Sequence, residues 1–163
     1  MSRRSQDLFS RSAIGVFRLN GQFLAVAEEL ARPSGLTAAR WQVLGAVLRE
    51  PLPVSGVARA MGITRQSVQR IADLLVEQGL AEYRPNPAHR RAKLLAPTDA
   101  GRAAVSRIDP GHAAFAERLA EAYGGEDGLA AAVEALERLS KALGELEDRP
   151  AGGPPKIPSV TEP

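Results

Sequence analysis

Residues 54–79 leave little freedom of fold. Val57 and Met61, then Val68, Ile71 and Leu75, recur at helical spacings of three and four, and Gly62-Ile63-Thr64 interrupts the two runs. The pattern predicts two short helices, Val54 to Met61 and Arg65 to Gln78, with Gly79 closing the second. Ala58 lies four residues before Gly62 and is small enough for the second helix to cross the first closely. Val57, Met61, Ile63, Val68, Ile71 and Leu75 then form one shared core. Two short helices at a tight glycine turn are the arithmetic of a helix-turn-helix.

The second helix has an informative outer face. Thr64 is placed as its N-cap, with its hydroxyl within reach of the Ser67 amide. Gln66, Ser67, Gln69, Arg70 and Asp73 point away from the Val68/Ile71/Leu75 stripe. Gln pairs with adenine, Arg with guanine, and Ser or Thr with base or phosphate. The positive helix end, opened by Thr64 and Arg65, favours a nearby phosphate. A merely solvated amphipathic helix carries the same pattern, so this face alone does not decide the function.

The next stretch does. Leu80 to Arg84 reads as a short strand, Pro85 to Arg91 as a turn-rich tip, and Ala92 to Ala96 as a returning strand. Arg84, Arg90, Arg91 and Lys93, with His89, place four cations and a histidine in ten residues, and the one acid nearby is Glu82. A basic hairpin beside a recognition helix can reach the adjacent minor groove. Helix-turn-helix plus hairpin is a winged helix, a far more specific combination than either half. The charge partition agrees. Residues 59–102 carry eight basic and four acidic side chains, whereas residues 103–163 carry six and eleven. Arg59, Arg65, Arg84 and Lys93 are candidate phosphate contacts.

Around this module stand longer helices. Val16, Leu19, Phe23, Val26 and Leu30 form a stripe on a helix from about Asp7 to Ala31. A second helix covers Thr37 to Arg49, with Thr37 as cap and Pro51 and Pro53 beyond its end. After Thr98 helix resumes to about Tyr123, kinked or split at Asp109-Pro110-Gly111. A last helix, Glu126 to Glu147, repeats Leu129, Val133, Leu136, Leu139, Leu143 and Leu146. Stripes of this length on the first and last helices exceed what a module of about 90 residues can cover, so a second copy of the chain is expected.

Several classes of function are excluded. The chain has no cysteine, so disulfides, thiolate zinc sites and thiol nucleophiles are absent. Its two histidines, His89 and His112, do not cluster, and no Gly-rich phosphate loop or nucleophile elbow occurs. Neither enzyme activity nor any cofactor or metal is expected. Apolar runs fall far short of the roughly 18 residues of a membrane span, no secretory signal follows Met1 to Ser5, and a cytoplasmic location without membrane partners is expected.

Taken in order, long helix, helix, helix-turn-helix, wing and two C-terminal helices, the chain resembles the MarR (multiple antibiotic resistance regulator) family. The likeness runs over about residues 10–147. It is carried by Leu36-Thr37-Ala38-Ala39-Arg40-Trp41, Val57 through Thr64, Leu74 through Leu80, and Arg90 through Leu95 followed by Pro97-Thr98-Asp99-Ala100-Gly101. One departure is Asn86-Pro87-Ala88, where family wings often open Asp-x-Arg.

The resemblance implies a mainly α fold with a small β-hairpin wing, a winged helix-turn-helix over residues 36–98 flanked by dimerisation helices over 7–35 and 99–147. An N-terminal arm (1–6) and a Pro-rich tail (148–163) are expected to be disordered. It further implies a homodimer acting as a ligand-responsive repressor on double-stranded DNA at a pseudo-palindromic operator. Gln66, Ser67, Gln69 and Arg70 would face the groove, and Arg90 would be the wing-tip arginine. A small aromatic or amphipathic effector could occupy a pocket lined by Phe17, Phe23, Trp41, His112 and Phe115, although aromatics at such spacing are more often plain core. The competing reading is a winged helix that binds only protein, against which the basic wing argues.

Overall fold

The computed structural model describes residues 2–147. Helix α1 spans Arg3–Ala31, followed by a single 3-10 turn, Arg32–Ser34. Then come α2 (Ala38–Val47), strand β1 (Leu52–Pro53), α3 (Val54–Met61), α4 (Arg65–Glu77), β2 (Ala81–Arg84), β3 (Leu94–Pro97), α5 (Asp99–Ser106), α6 (Asp109–Ala122) and α7 (Gly125–Glu147). The fold is mainly α with one small antiparallel sheet, as the sequence implied. The chain divides into two compact units, the first ending at Ala114 and the second starting at Phe115.

In the first unit the helix-turn-helix forms where the punctuation residues put it. Gly62 ends α3 with φ of 64°, a left-handed conformation that costs glycine nothing. The Ala58 carbonyl accepts from the amides of both Gly62 and Ile63, so the orphan end of α3 is satisfied. Thr64 caps α4 as expected, its Oγ1 accepting from the Ser67 amide at 3.2 Å. The core joins Val43, Leu44 and Val47 of α2, Val57 and Ala58 of α3, and Val68, Ala72 and Leu75 of α4. Leu95 of β3 closes it from the sheet side.

The sheet has the order β1-β3-β2. Leu52 pairs with Leu95, and Tyr83 pairs with Leu95 from the other side. Strand β1 is an addition to the expected hairpin. Two residues beside a proline give no periodicity to read, and only pairing with β3 makes them a strand.

Two boundaries differ from expectation. The arm expected over residues 1–6 is helical from Arg3; no proline or glycine precedes Gly15, so nothing in that stretch stops the helix. The core also reaches beyond residues 36–98, taking in Ala31 at the end of α1 and Ala104, Val105 and Ile108 of the α5 region. The expected split at Asp109 occurs, with α5 ending at Ser106. The Pro-rich tail lies outside the described residues.

Three polar clasps tie this unit together. Glu28 Oε2 accepts from the Ala38 amide at 2.8 Å, which carries an α1 carboxylate to the positive end of α2. Thr98 Oγ1 donates to the Gly79 carbonyl at 2.6 Å and accepts from the Gly101 amide at 3.1 Å. The Thr98 amide donates to the Leu80 carbonyl at 3.1 Å. Gly101 is needed at this contact, because a Cβ there would fall on the Leu80 carbonyl oxygen.

The long helices contrast with that core. On α1, Leu8, Phe9, Val16, Phe17, Leu19 and Phe23 are all exposed, and only Ala31 of the whole helix is buried. In the second unit, α7 exposes Val133, Leu136, Leu139, Leu143 and Leu146 along one stripe.

Candidate nucleic-acid interface

Helix α4 presents its polar face as the spacing predicted. Thr64, Arg65, Gln66, Ser67, Gln69 and Arg70 are all exposed, while Val68, Ala72 and Leu75 are fully buried beneath them. No acid occupies the first turn of α4, so the positive helix end faces outward uncompensated. Thr64 Oγ1 also donates to Ser67 Oγ at 2.9 Å. The Ser67 hydroxyl proton therefore stays available for another acceptor.

The wing stands beside it. Arg65 of α4, Arg91 and Lys93 of the wing, and Gln69 and Tyr83 line one cleft of about 320 Å³. The structure thus brings cations from two separate sequence segments onto one surface. Among the described residues, Arg90, Arg91 and Lys93 have no carboxylate within ion-pair distance. Arg84 differs: its guanidinium pairs with Glu82 Oε1 at 2.6 Å. The charge of Arg84 is therefore answered within its own strand, and the outward cationic density rests on Arg65, Arg90, Arg91 and Lys93.

The wing tip holds its shape without the family's Asp-x-Arg start. Asn86 Oδ1 accepts from the Ala88 amide at 3.0 Å, an Asx turn built by the residue that replaces the aspartate. The His89 amide donates to the Asn86 carbonyl at 3.3 Å, and the His89 carbonyl accepts from Ala92 at 3.2 Å. His89 thereby sits on the turn itself, with Arg90 and Arg91 carried directly after it.

A polar triad joins helix to wing. Tyr83 Oη donates to Asp73 Oδ1 at 2.6 Å, and Gln69 Nε2 donates to both Asp73 Oδ1 at 2.9 Å and Tyr83 Oη at 2.8 Å. Partial burial and the Asp73 carboxylate push the Tyr83 phenol up to about 12, with the Gln69 hydrogen bond acting slightly the other way. In the sequence Asp73 counts among the outward polar residues of α4, and Tyr83 carries no expected role. The signal was present in the strand alternation, since Tyr83 must face opposite to Glu82 and Arg84.

The five aromatic and histidine positions considered for an effector pocket are not brought together in the same way. Trp41 and His112 meet edge to face, with ring centroids 5.6 Å apart and planes at 87°. Phe17 and Phe23 are 74% and 54% exposed on α1. Phe115 belongs to the second unit. Among the described residues no helix is long and apolar enough to cross a membrane.

A helix-turn-helix whose second helix shares a cationic face with a three-stranded wing defines a winged-helix protein. Residues 34–92 match the MarR family profile. The uncharacterized protein Rv2011c of Mycobacterium tuberculosis strain H37Rv is 40% identical over 137 residues, covering 84% of this chain and 95% of that one. Among solved structures, Sco5413, a MarR family transcriptional regulator from Streptomyces coelicolor, is 28% identical with a TM-score of 0.69, over 83% of this chain and 96% of that one. The M. tuberculosis regulator MosR in complex with DNA shares the fold, with a TM-score of 0.66 at 21% identity over 80% of this chain and 96% of that one. The chain belongs to the MarR family of transcriptional regulators.

Proposed function

We propose that the protein is a sequence-specific, double-stranded-DNA-binding repressor that acts as a homodimer and responds to a small ligand. The observation that carries the DNA reading is the shared face of α4 and the wing, where Arg65, Arg91 and Lys93 surround one cleft and lack carboxylate partners among the described residues. Lys and Arg on such a face gain affinity by releasing counterions from the phosphate backbone. Gln66, Ser67, Gln69 and Arg70 would then meet base edges in the major groove, with Arg90 or Arg91 in the minor groove alongside. A module that binds only protein has no use for this concentration of cations.

Dimerisation is supported by the exposed stripes of α1 and α7, which are too apolar to stand in water. A second copy covering them would present two winged helices to half-sites about one helical turn apart, hence the pseudo-palindromic operator. Repression and an aromatic or amphipathic effector rest on the family resemblance. The exposed rings of Phe17 and Phe23 and the Trp41–His112 pair are the side chains to examine for it. A ligand would act only through different affinity for the DNA-competent and incompetent arrangements. The site of action would be the cytoplasm.

The test is a titration of purified protein against duplexes selected from a random library. Binding should weaken steeply as salt rises from about 50 to 200 mM. Arg70→Ala should cost about 1–3 kcal/mol on the selected site and relax its sequence preference, whereas Arg90→Ala should weaken all duplexes and lower the salt slope by about one. Binding that ignores salt, or an Arg70→Ala variant with unchanged selectivity, would overturn the assignment.

A further inference from the structure

Within the DNA-reading function proposed above, on which this step rests, we infer that Asp73 fixes the polarity of Gln69 so that Gln69 reads its base as a hydrogen-bond acceptor only. A carboxamide offers two donors on nitrogen and an acceptor on oxygen, and its reading of a base depends on which end faces outward. At Gln69 that choice is made by chemistry. The Asp73 carboxylate can only accept, so the nitrogen must be the atom 2.9 Å from Asp73 Oδ1. Tyr83 gives its single proton to the same Oδ1 at 2.6 Å, which leaves its oxygen to accept the second Gln69 N–H at 2.8 Å. Both donors of Gln69 are consumed, and Oε1 is what remains to face a ligand.

In the major groove, adenine offers an amino donor beside the N7 acceptor, cytosine offers an amino donor alone, and guanine and thymine offer acceptors there. A glutamine free to turn pairs with adenine through both of its ends. A glutamine held by Asp73 accepts from the amino group of adenine or cytosine and gains nothing from N7. Asp73 is thus a positioning residue that changes specificity through Gln69, and Tyr83 extends the hold to the wing strand.

The experiment is selection from a randomised duplex library with the full chain and three variants. Gln69→Ala identifies the base pair that Gln69 reads by levelling its profile. At that pair the wild type should retain adenine and cytosine within about threefold of each other and exclude guanine and thymine. Asp73→Ala, an exposed change, should release the carboxamide and favour adenine over cytosine by about fivefold or more. Tyr83→Phe frees the second Gln69 N–H while Asp73 keeps the first, so it should also move the profile toward adenine, by less than Asp73→Ala does. Circular dichroism of each variant should match the wild type, which separates a change of specificity from a loss of fold.

The inference is overturned if Gln69→Ala levels no position, if the wild type already prefers adenine by that margin, or if Asp73→Ala leaves the profile unchanged. A wild-type chain that selects no duplex at all would instead defeat the proposed DNA binding, a distinguishable result.

Discussion

The winged-helix core and the long helix α7 use apolar residues in opposite ways. In the core, Val43, Leu44, Val47, Val57, Val68, Leu75 and Leu95 are all at 0% exposure, each closed over by side chains of the same unit. On α7, Val133, Leu136, Leu139 and Leu143 repeat at the same helical spacing yet lie 39–48% exposed. Identical periodicity therefore has two outcomes, and the difference is whether the chain itself supplies the opposing surface. A stripe satisfied within the chain specifies a fold, and one left open is the surface that the proposed dimer would cover.

Leu75→Ala probes the closed side of this contrast and should have the largest effect. Removal of a fully buried leucine should cost about 2–5 kcal/mol in chemical unfolding; a loss below 1 kcal/mol would mean the core is not closed as described. Gly101→Ala comes next. The added methyl meets the Leu80 carbonyl oxygen, so the Thr98 clasp must open, at about 1–3 kcal/mol read as a lowered Tm.

On the open side, Leu136→Glu with Leu143→Glu should shift unfolding of the winged-helix unit by no more than about 0.5 kcal/mol. It should nevertheless bring the mass measured by light scattering from twice 17.3 kDa to that value. A pair that unfolds the core, or a wild type already at the single mass, would erase the distinction between the two regions.

The smallest effect concerns the join between α4 and the wing. The Tyr83 phenol is raised from its ordinary value of 10 to about 12. A raised phenol favours the neutral form in the folded chain, so its contribution is fully present below about pH 10. It is lost as pH climbs from 10 through 12. Unfolding followed over that range should show a steeper decline for the wild type than for Tyr83→Phe; equal slopes would remove Asp73 and Gln69 from the account.

Legibility in the sequence followed the range of the interactions. The α3–α4 pair was readable almost to the residue because Gly62, Thr64 and Gly79 act within a few positions of themselves. The cationic face was readable as a cluster, since Arg90, Arg91 and Lys93 are adjacent in sequence. What escaped depends on how the backbone is laid out in space. Strand β1 exists only because Leu52 and Pro53 meet Leu95 and Leu94. The Gln69–Asp73–Tyr83 triad needs β2 laid against α4, and the local ion pair of Arg84 needs its strand extended so that Glu82 lies on the same face. The family resemblance named the mainly α winged-helix fold, but α5 belongs to the core by its buried Ala104 and Val105, which no alternation of polar and apolar letters announced.

Pro53 carries a last consequence. It sits in β1, at the margin of the sheet, and has no amide proton to offer a further strand. The opposite margin is β2, only four residues long and bearing the Glu82–Arg84 pair. Both rims are thereby blunted against lateral recruitment of another polypeptide, so that fibril-like growth through the wing is discouraged at either side.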